Sequence, residues 1–210
     1  MPKSATAPAL IFDIGNVLLR WDPRLLFRTL LPDEAAIDAF LAEIGFDAWN
    51  VEFDRGTRWE DGIAALSALH PTRAELIAAY HHRWHETLPG PVQGAPELLT
   101  ELAAAGLPLY AITNFSSAKF AETRARFPFL AAFRDIVVSG DERLLKPDPE
   151  IYRRCLDRNG LDPARSIFID DSGKNVAGAA ALGIDAIRFT SVPALRVAFG
   201  ERGLLRAETA

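Results

Sequence analysis

The chain has 210 residues, of which 49% are hydrophobic and 24% are charged. These are ordinary values for a globular protein, so apolar burial can offset chain entropy, and one compact domain with a sizeable insertion is expected. The net charge of −5, with no basic stripe, argues against nucleic acid as the main partner, and no window approaches the roughly 20 apolar residues that cross a bilayer.

The N-terminal segment, residues 1–9, has no apolar stretch of the length that a signal peptide needs. We therefore expect a cytoplasmic protein without a membrane partner. The sequence predicts no particular oligomeric state.

The first predicted strand is the apolar run at residues 10–12, which ends abruptly at Asp13. Three later runs follow the same pattern, since each is apolar and each ends in polar residues: 109–112, 136–138 and 167–169. Such runs are typical of buried parallel strands.

The stretch from residue 20 to residue 89 has helical periodicity and no convincing strand. We predict that it is a helical cap inserted after the first strand, which leaves residues 1–19 and 90–210 as the core. Helical patterns also alternate with the later strands. This alternation predicts an α/β fold with a parallel sheet, in which ligands bind at the carboxyl ends of the strands.

Three carboxylates, Asp13, Asp170 and Asp171, follow two of these strands and are expected to share one crevice. A divalent cation would relieve their repulsion, and an all-oxygen ligand set favours Mg²⁺ over zinc. Asp170 and Asp171 could instead cap the helix that follows them.

Four segments in order resemble the four motifs of the haloacid dehalogenase-like superfamily. They are residues 12–17 (Phe-Asp-Ile-Gly-Asn-Val), 112–114 (Ile-Thr-Asn), 146–149 (Lys-Pro-Asp-Pro) and 168–171 (Phe-Ile-Asp-Asp). The resemblance covers about two thirds of the chain. It implies a Rossmann-like core with a cap, and a hydrolase acting on a small-molecule substrate.

The resemblance also implies residue roles. Asp13 would be the nucleophile, Thr113 a hydroxyl donor to the transferring group, and Lys146 the cation that steadies the nucleophile and the developing charge. The implied Mg²⁺ ligands are Asp13, the main-chain carbonyl of Gly15, Asp170 and Asp171. Phosphoryl transfer needs chiefly positioning and charge neutralisation, which such a set can provide.

The sequence departs from the superfamily at Gly15, where phosphatases usually carry an aspartate that acts as general acid and base. A positioned proton donor contributes about 10²–10⁴-fold, and water, the substrate or a cap residue would have to replace it. The Asp-Ile-Gly-Asn-Val motif resembles that of a superfamily branch that includes sugar-1-phosphate phosphatases. A phosphatase acting on a sugar phosphate is therefore the first hypothesis.

Two alternatives stay open. A 2-haloacid dehalogenase would use Asp13 to attack carbon and needs neither acid nor metal, and Asn114 matches an asparagine of those enzymes. Asp170 and Asp171 oppose this reading, because dehalogenases carry serines there. A catalytically idle binding protein is the second alternative.

Substrate-binding candidates are Asn114 and two arginines, Arg20 and Arg55, which could hold an anion. Five cap aromatics could line a pocket, although packing in a core is the more common role of such residues. They are Trp21, Trp49, Phe53, Trp59 and Trp84.

Overall fold

A five-stranded parallel sheet forms the centre of the structure, a computed structural model that describes residues 7–205. The strands in chain order are β1 (Ala9–Phe12), β2 (Leu19–Arg20), β3 (Gly90–Pro91), β4 (Leu109–Thr113), β5 (Asp135–Val138), β6 (Ser166–Asp170) and β7 (Asp185–Arg188). The sheet order is β5-β4-β1-β6-β7, so β1 lies in the middle between β4 and β6. The predicted α/β fold class is confirmed.

The register of the central strands brings the polar residues together. Phe12 of β1 pairs with Ala111 of β4 and with Ile169 of β6. Asp13, one residue past β1, therefore lies level with the ends of both neighbouring strands, and its main-chain N–H donates to the Ile169 carbonyl at 2.8 Å.

Helices cover both faces of this sheet and fill the segment between β2 and β3. In chain order they are α1 (Arg24–Phe27), α2 (Glu34–Glu43), α3 (Phe46–Asp54), α4 (Trp59–Leu69), α5 (Ala74–His82), α6 (Ala95–Ala104), α7 (Ser117–Arg126), α8 (Ser139–Glu142), α9 (Pro149–Asn159), α10 (Gly173–Ala180) and α11 (Val192–Glu201). Helices α1 to α5 occupy the stretch predicted as a cap. The two short strands β2 and β3 pair antiparallel and join that stretch to the rest of the chain.

Alternate residues of the strands point to opposite faces and build two apolar clusters, as the two-residue period of a strand requires. Leu10 and Phe12 of β1 pack with side chains of α6, α7 and α11. Ala9 and Ile11 pack on the other face with side chains of α9 and α10. The first cluster continues into α2 to α5, so the helical segment and the sheet share buried apolar surface.

Within residues 7–205, no helix is long and apolar enough to cross a membrane. The signal-peptide prediction concerned residues 1–9, of which 1–6 lie outside the described residues.

Candidate active site

An ion-paired triad lies at the carboxyl ends of β1 and β6. The Lys146 ammonium Nζ is 2.7 Å from Asp13 Oδ1 and 2.7 Å from Asp170 Oδ2. All three side chains are buried. One cation therefore bridges two of the carboxylates that the sequence predicted to share a crevice.

Asp170 is fully buried, and the start of α10 holds it in place. Its Oδ1 accepts from the Ser172 main-chain N–H at 2.8 Å, and the Asn175 amide donates to both carboxylate oxygens at 3.0 Å. A buried carboxylate with this many donors stays in one position. The contact between Asn175 and Asp170 was not predicted from the sequence.

Asp171, the neighbour of Asp170, completes a cluster of three carboxylates. Asp13, Asp170 and Asp171 each offer an oxygen, and these oxygens all lie within 4.8 Å of one another. Opposite ligands of an octahedral Mg²⁺ are about 4.1 Å apart, because each Mg–O bond measures about 2.0–2.1 Å. The oxygen donors and their spacing therefore fit a Mg²⁺ ion after small side-chain adjustments.

The pKa values of Asp13 and Asp171 are raised, with burial as the main cause. Burial raises the pKa of Asp13 to about 7, with Lys146 lowering it and Asp170 raising it further. Burial and Asp170 raise the pKa of Asp171 as well. Burial lowers the pKa of Lys146, but the two adjacent carboxylates outweigh it and raise that pKa, so the ammonium stays charged. Three carboxylates against one ammonium leave room for a further cation.

Asn114 holds the main chain of Lys146. Its Oδ1 accepts from the Lys146 N–H at 2.8 Å, and its Nδ2 donates to the Lys146 carbonyl at 3.1 Å. Asn114, which was predicted to bind substrate, thus bonds to the backbone of Lys146, the predicted catalytic lysine. Asn114 also lines the cavity beside the triad.

Thr113, the last residue of β4, has a fully buried hydroxyl whose Oγ1 has no hydrogen-bond partner among the described residues. Buried hydroxyls normally find partners, so an unpaired one at a strand end is typical of a group that awaits a ligand. This placement agrees with its predicted role as a donor to the transferring group, which stays a prediction.

The loop after Asp13 turns sharply at Asn16, which has a φ of +54°. The Asn16 side chain accepts from the Trp21 main-chain N–H at 3.0 Å, so this residue shapes the turn. Gly15, which precedes it, lines the cavity, and no other atom lies within 4 Å of the position where its Cβ would be. The missing side chain leaves open space two residues from Asp13.

A cavity of about 90 Å³ lies between the sheet edge and the helical segment. Its apolar lining consists of Leu19, Trp21, Trp59, Trp84, Leu88 and Phe115. Three of the five cap aromatics therefore line this cavity, and the other two, Trp49 and Phe53, pack against each other with ring centroids 4.9 Å apart.

The cavity also has polar lining residues that the sequence analysis did not single out: Asn50, Asp54, Ser116 and Lys119. Burial raises the pKa of Asp54 to about 7. Lys119 is buried, and its Nζ lies 3.0 Å from Glu122 and 5.5 Å from the Trp59 ring centroid. Only the structure could identify them, because no local motif encodes how α3 approaches the start of α7.

The two arginine candidates lie at the surface. Arg20 is exposed in β2. Arg55 follows α3, with 58% of its side chain exposed, and lies 3.7 Å from Glu52. Neither lines the cavity, so their anion-binding roles stay predictions.

The chain is similar to known proteins in both sequence and fold. The sequence model of the haloacid dehalogenase-like hydrolases matches residues 51–189. A sesquiterpene phosphatase from Aspergillus oryzae is 30% identical over 186 residues, which are 88% of this chain and 91% of that protein.

Solved structures share the fold at lower identity. A haloacid dehalogenase family enzyme from Bacteroides thetaiotaomicron is 21% identical and superimposes with a TM-score of 0.72 over 89% of this chain and 95% of its own. The same enzyme has been crystallised with magnesium and inorganic phosphate. The L-2-haloacid dehalogenase from Xanthobacter autotrophicus is 20% identical, with a TM-score of 0.62 over 95% of this chain and 85% of its own.

Proposed function

The chain belongs to the haloacid dehalogenase-like hydrolases, and we propose that it is a Mg²⁺-dependent phosphatase that forms an aspartyl-phosphate on Asp13. The observation that carries this proposal is the cluster of Asp13, Asp170 and Asp171 around Lys146. An anionic ester can approach three carboxylates only if cations balance them. A haloacid dehalogenase has no need of such a balance, because halide leaves without a metal.

In the first half-reaction, Asp13 attacks phosphorus and the bond to the leaving oxygen breaks. Lys146, 2.7 Å from Asp13 Oδ1, favours the carboxylate form of the nucleophile and would balance the charge that develops on the phosphoryl oxygens. The unpaired Thr113 hydroxyl would donate to one of these oxygens. Hydrolysis of the acyl-phosphate then restores Asp13, so two easier steps replace one difficult step.

Mg²⁺ would be held by the side chains of Asp13, Asp170 and Asp171 and the main-chain carbonyl of Gly15, and it would neutralise charge on the phosphoryl group. The donor atoms support this assignment. All of them are oxygens, and the three carboxylate oxygens lie within 4.8 Å of one another. The magnesium and phosphate in the Bacteroides enzyme support it as well.

For the leaving group we propose a small alcohol with an apolar face. Six of the cavity residues are aliphatic or aromatic, and a volume of about 90 Å³ admits only a small group unless the helical segment opens. The name of the sesquiterpene phosphatase relative is consistent with an apolar alcohol. The sugar phosphate predicted from sequence is the second candidate, supported by Asn50 and Asp54, whose polar groups could bind hydroxyls.

A substrate panel tests the reaction class. The purified protein would be assayed with phenyl phosphate, farnesyl phosphate, sugar phosphates, nucleotides, and fluoro- and chloroacetate, with Mg²⁺ and then with EDTA. We expect phosphate release that depends on Mg²⁺, with phenyl phosphate ahead of the sugar phosphates. Halide release that persists in EDTA would instead identify a dehalogenase, and ligand binding without any turnover would identify an idle binding protein.

Replacement of the nucleophile is the second test. We predict that Asp13→Asn lowers kcat by on the order of 10⁴- to 10⁶-fold, as expected for loss of a covalent nucleophile. The fold should persist, because asparagine has the same shape and Lys146 keeps its contact with Asp170. Assay by phosphate release and a thermal unfolding curve would check both points, and unchanged kinetics would refute the assignment of Asp13.

A further inference from the structure

The proposed phosphatase lacks a proton donor in the usual place, because Gly15 stands two residues after the nucleophile. An alkoxide leaving group is a strong base, so some group must protonate it as the bond to phosphorus breaks. Among the described residues that line the cavity, Asp54 and Lys119 are the titratable ones. Lys119 is already ion-paired with Glu122 at 3.0 Å.

We propose that Asp54, the last residue of α3, is the general acid and base that replaces the missing aspartate. The role rests on the proposed phosphatase function. It would place the acid on the helical segment above the substrate rather than on the loop of the nucleophile.

The position of Asp54 supports the role. It lines the same cavity as Gly15, and it is close enough to Asp13 and Lys146 for their charges to act on it. Asp54 therefore faces the cavity that the loop after Asp13 also lines, and it is not among the carboxylates that cluster as metal ligands.

The backbone around Asp54 is anchored to the sheet edge. Its carbonyl accepts from the Ser139 hydroxyl at 2.6 Å, and the same hydroxyl accepts from the Phe115 main-chain N–H at 2.8 Å. Two residues later, Gly56 lies so near the Gly140 carbonyl that a Cβ there would be 2.8 Å from the oxygen. A proton donor needs a fixed position, and these contacts supply one.

The acidity of Asp54 also suits the role. Burial raises its pKa to about 7, the Ser116 main-chain N–H lowers it, and Asp13 raises it. A carboxyl group that titrates near neutral pH can both give and take a proton at that pH.

The proton balance closes over the two half-reactions. When Asp13 attacks phosphorus, the P–O bond to the leaving group breaks and the leaving oxygen takes the proton of the Asp54 carboxyl group. In the second half-reaction the Asp54 carboxylate takes a proton from water, whose oxygen bonds to phosphorus as the bond to Asp13 breaks. Both Asp13 and Asp54 return to their starting forms.

A comparison of leaving groups tests the proposal. Asp54→Asn keeps the shape of the side chain but cannot transfer the proton. With an alkyl phosphate, which needs protonation, we expect kcat/KM to fall by about 10²–10⁴-fold. With p-nitrophenyl phosphate, whose leaving group needs no proton, kcat/KM should fall less than about tenfold. Its kcat should still fall, with a burst of nitrophenol, because the attack of water has lost its base.

The control is Asp47→Asn, an exposed carboxylate on the same helix, which should match the wild type with both substrates. An equal loss with both esters, or no loss with either, would overturn the role of Asp54 while leaving the phosphatase function standing. A wild type that hydrolyses neither ester would overturn the proposed function, and this role with it.

A measurement on the wild type alone covers the case in which Asp54→Asn does not fold. Across a series of aryl phosphates, kcat/KM should change little with the pKa of the leaving phenol, because the transferred proton neutralises the developing charge. A steep dependence would mean that the leaving group departs unprotonated, and it would contradict the proposal.

Discussion

Both the side chain and the main chain of Lys146 are held in place. Its ammonium lies between Asp13 and Asp170, and its main-chain N–H and carbonyl both bond to the Asn114 amide. Asn114 follows β4 directly, so the sheet itself determines where the lysine backbone lies. Asn114 is therefore placed to position the Lys146 ammonium, for which a catalytic role is proposed.

This arrangement predicts the kinetic effect of Asn114→Ala. Two hydrogen bonds would be lost, and the freed Lys146 backbone would shift its ammonium from the nucleophile. Because a displacement of about 1 Å can cost about 10²-fold in rate, we expect kcat to fall by that order with KM nearly unchanged. Steady-state kinetics would check it.

The opposite kinetic pattern would support the role predicted for Asn114 from sequence. A residue that binds the substrate directly would raise KM and leave kcat nearly unchanged. Asn159→Ala is a suitable control, since Asn159, the last residue of α9, donates to Asp135 and does not line the cavity. It should leave both constants unchanged.

At the scale of elements, the connection between α3 and α4 joins the helical segment to the sheet edge. Besides the bond from Ser139 to the Asp54 carbonyl, the Trp59 indole N–H donates to the Ser116 hydroxyl at 2.7 Å. Gly56 lies in the chain between Asp54 and Trp59. It has a φ of +97°, and it is packed closely against the Gly140 carbonyl. Glycine is needed here both for its conformation and for the close approach.

We predict that Gly56→Ala destabilises the protein and impairs catalysis together. The left-handed backbone costs about 1–2 kcal/mol for a residue with a Cβ, and the clash with the Gly140 carbonyl should add to it. Urea unfolding would give the loss of free energy, and phosphatase assay the loss of rate.

Gly106→Ala provides the matched control for Gly56→Ala. Gly106 has a φ of +79°, but no other atom lies within 4 Å of the point that a Cβ would occupy there. It should show the conformational cost alone and retain activity. If the two variants lost equal stability and both stayed active, the docking role of Gly56 would be wrong.

Local sequence patterns predicted the central strands but missed the edge strand and the two shortest ones. The four apolar runs predicted strands that the structure contains, because a buried parallel strand needs an unbroken apolar stretch. Strand β7 was missed, since it lies at the sheet edge, and Asp185 and Arg188 at its two ends are exposed. Strands β2 and β3, of two residues each, were too short for any period to be visible.

The candidate site divides in the same way. Asp13, Lys146 and Asp170 were predicted because each follows a strand or lies in a motif, and the structure brings them together. Asp54 could not be predicted, because its approach to the cavity depends on how the helical segment docks on the sheet. That docking is set by tertiary contacts such as those of Ser139, which leave no local pattern in the sequence.

The buried carboxyl groups of the candidate site make the stability of the protein depend on pH. A raised pKa means that the folded, metal-free protein binds more protons than the unfolded chain between about pH 4 and pH 7, for Asp13 and for Asp54. Stability should therefore fall as pH rises through this window. The lowered pKa of His81 acts in the opposite direction near its ordinary value of 6.5. The pKa of Asp171 is raised as well, and three such carboxyl groups should outweigh one histidine.

Mg²⁺ should reverse this trend, because its ligands must be deprotonated and it binds the folded state. We predict that the rise in melting temperature on adding Mg²⁺ is larger at pH 8 than at pH 5.5, and that Asp171→Asn abolishes most of it. In the absence of Mg²⁺, Asp171→Asn should be at least as stable as the wild type, since it removes one of the crowded charges.

The control is a substitution of Asp157, an exposed carboxylate on α9. Asp157→Asn should keep the full rise in melting temperature on adding Mg²⁺. A rise that is equal at both pH values and persists in Asp171→Asn would show that Mg²⁺ binds elsewhere. The metal site proposed for Asp13, Asp170 and Asp171 would then be wrong.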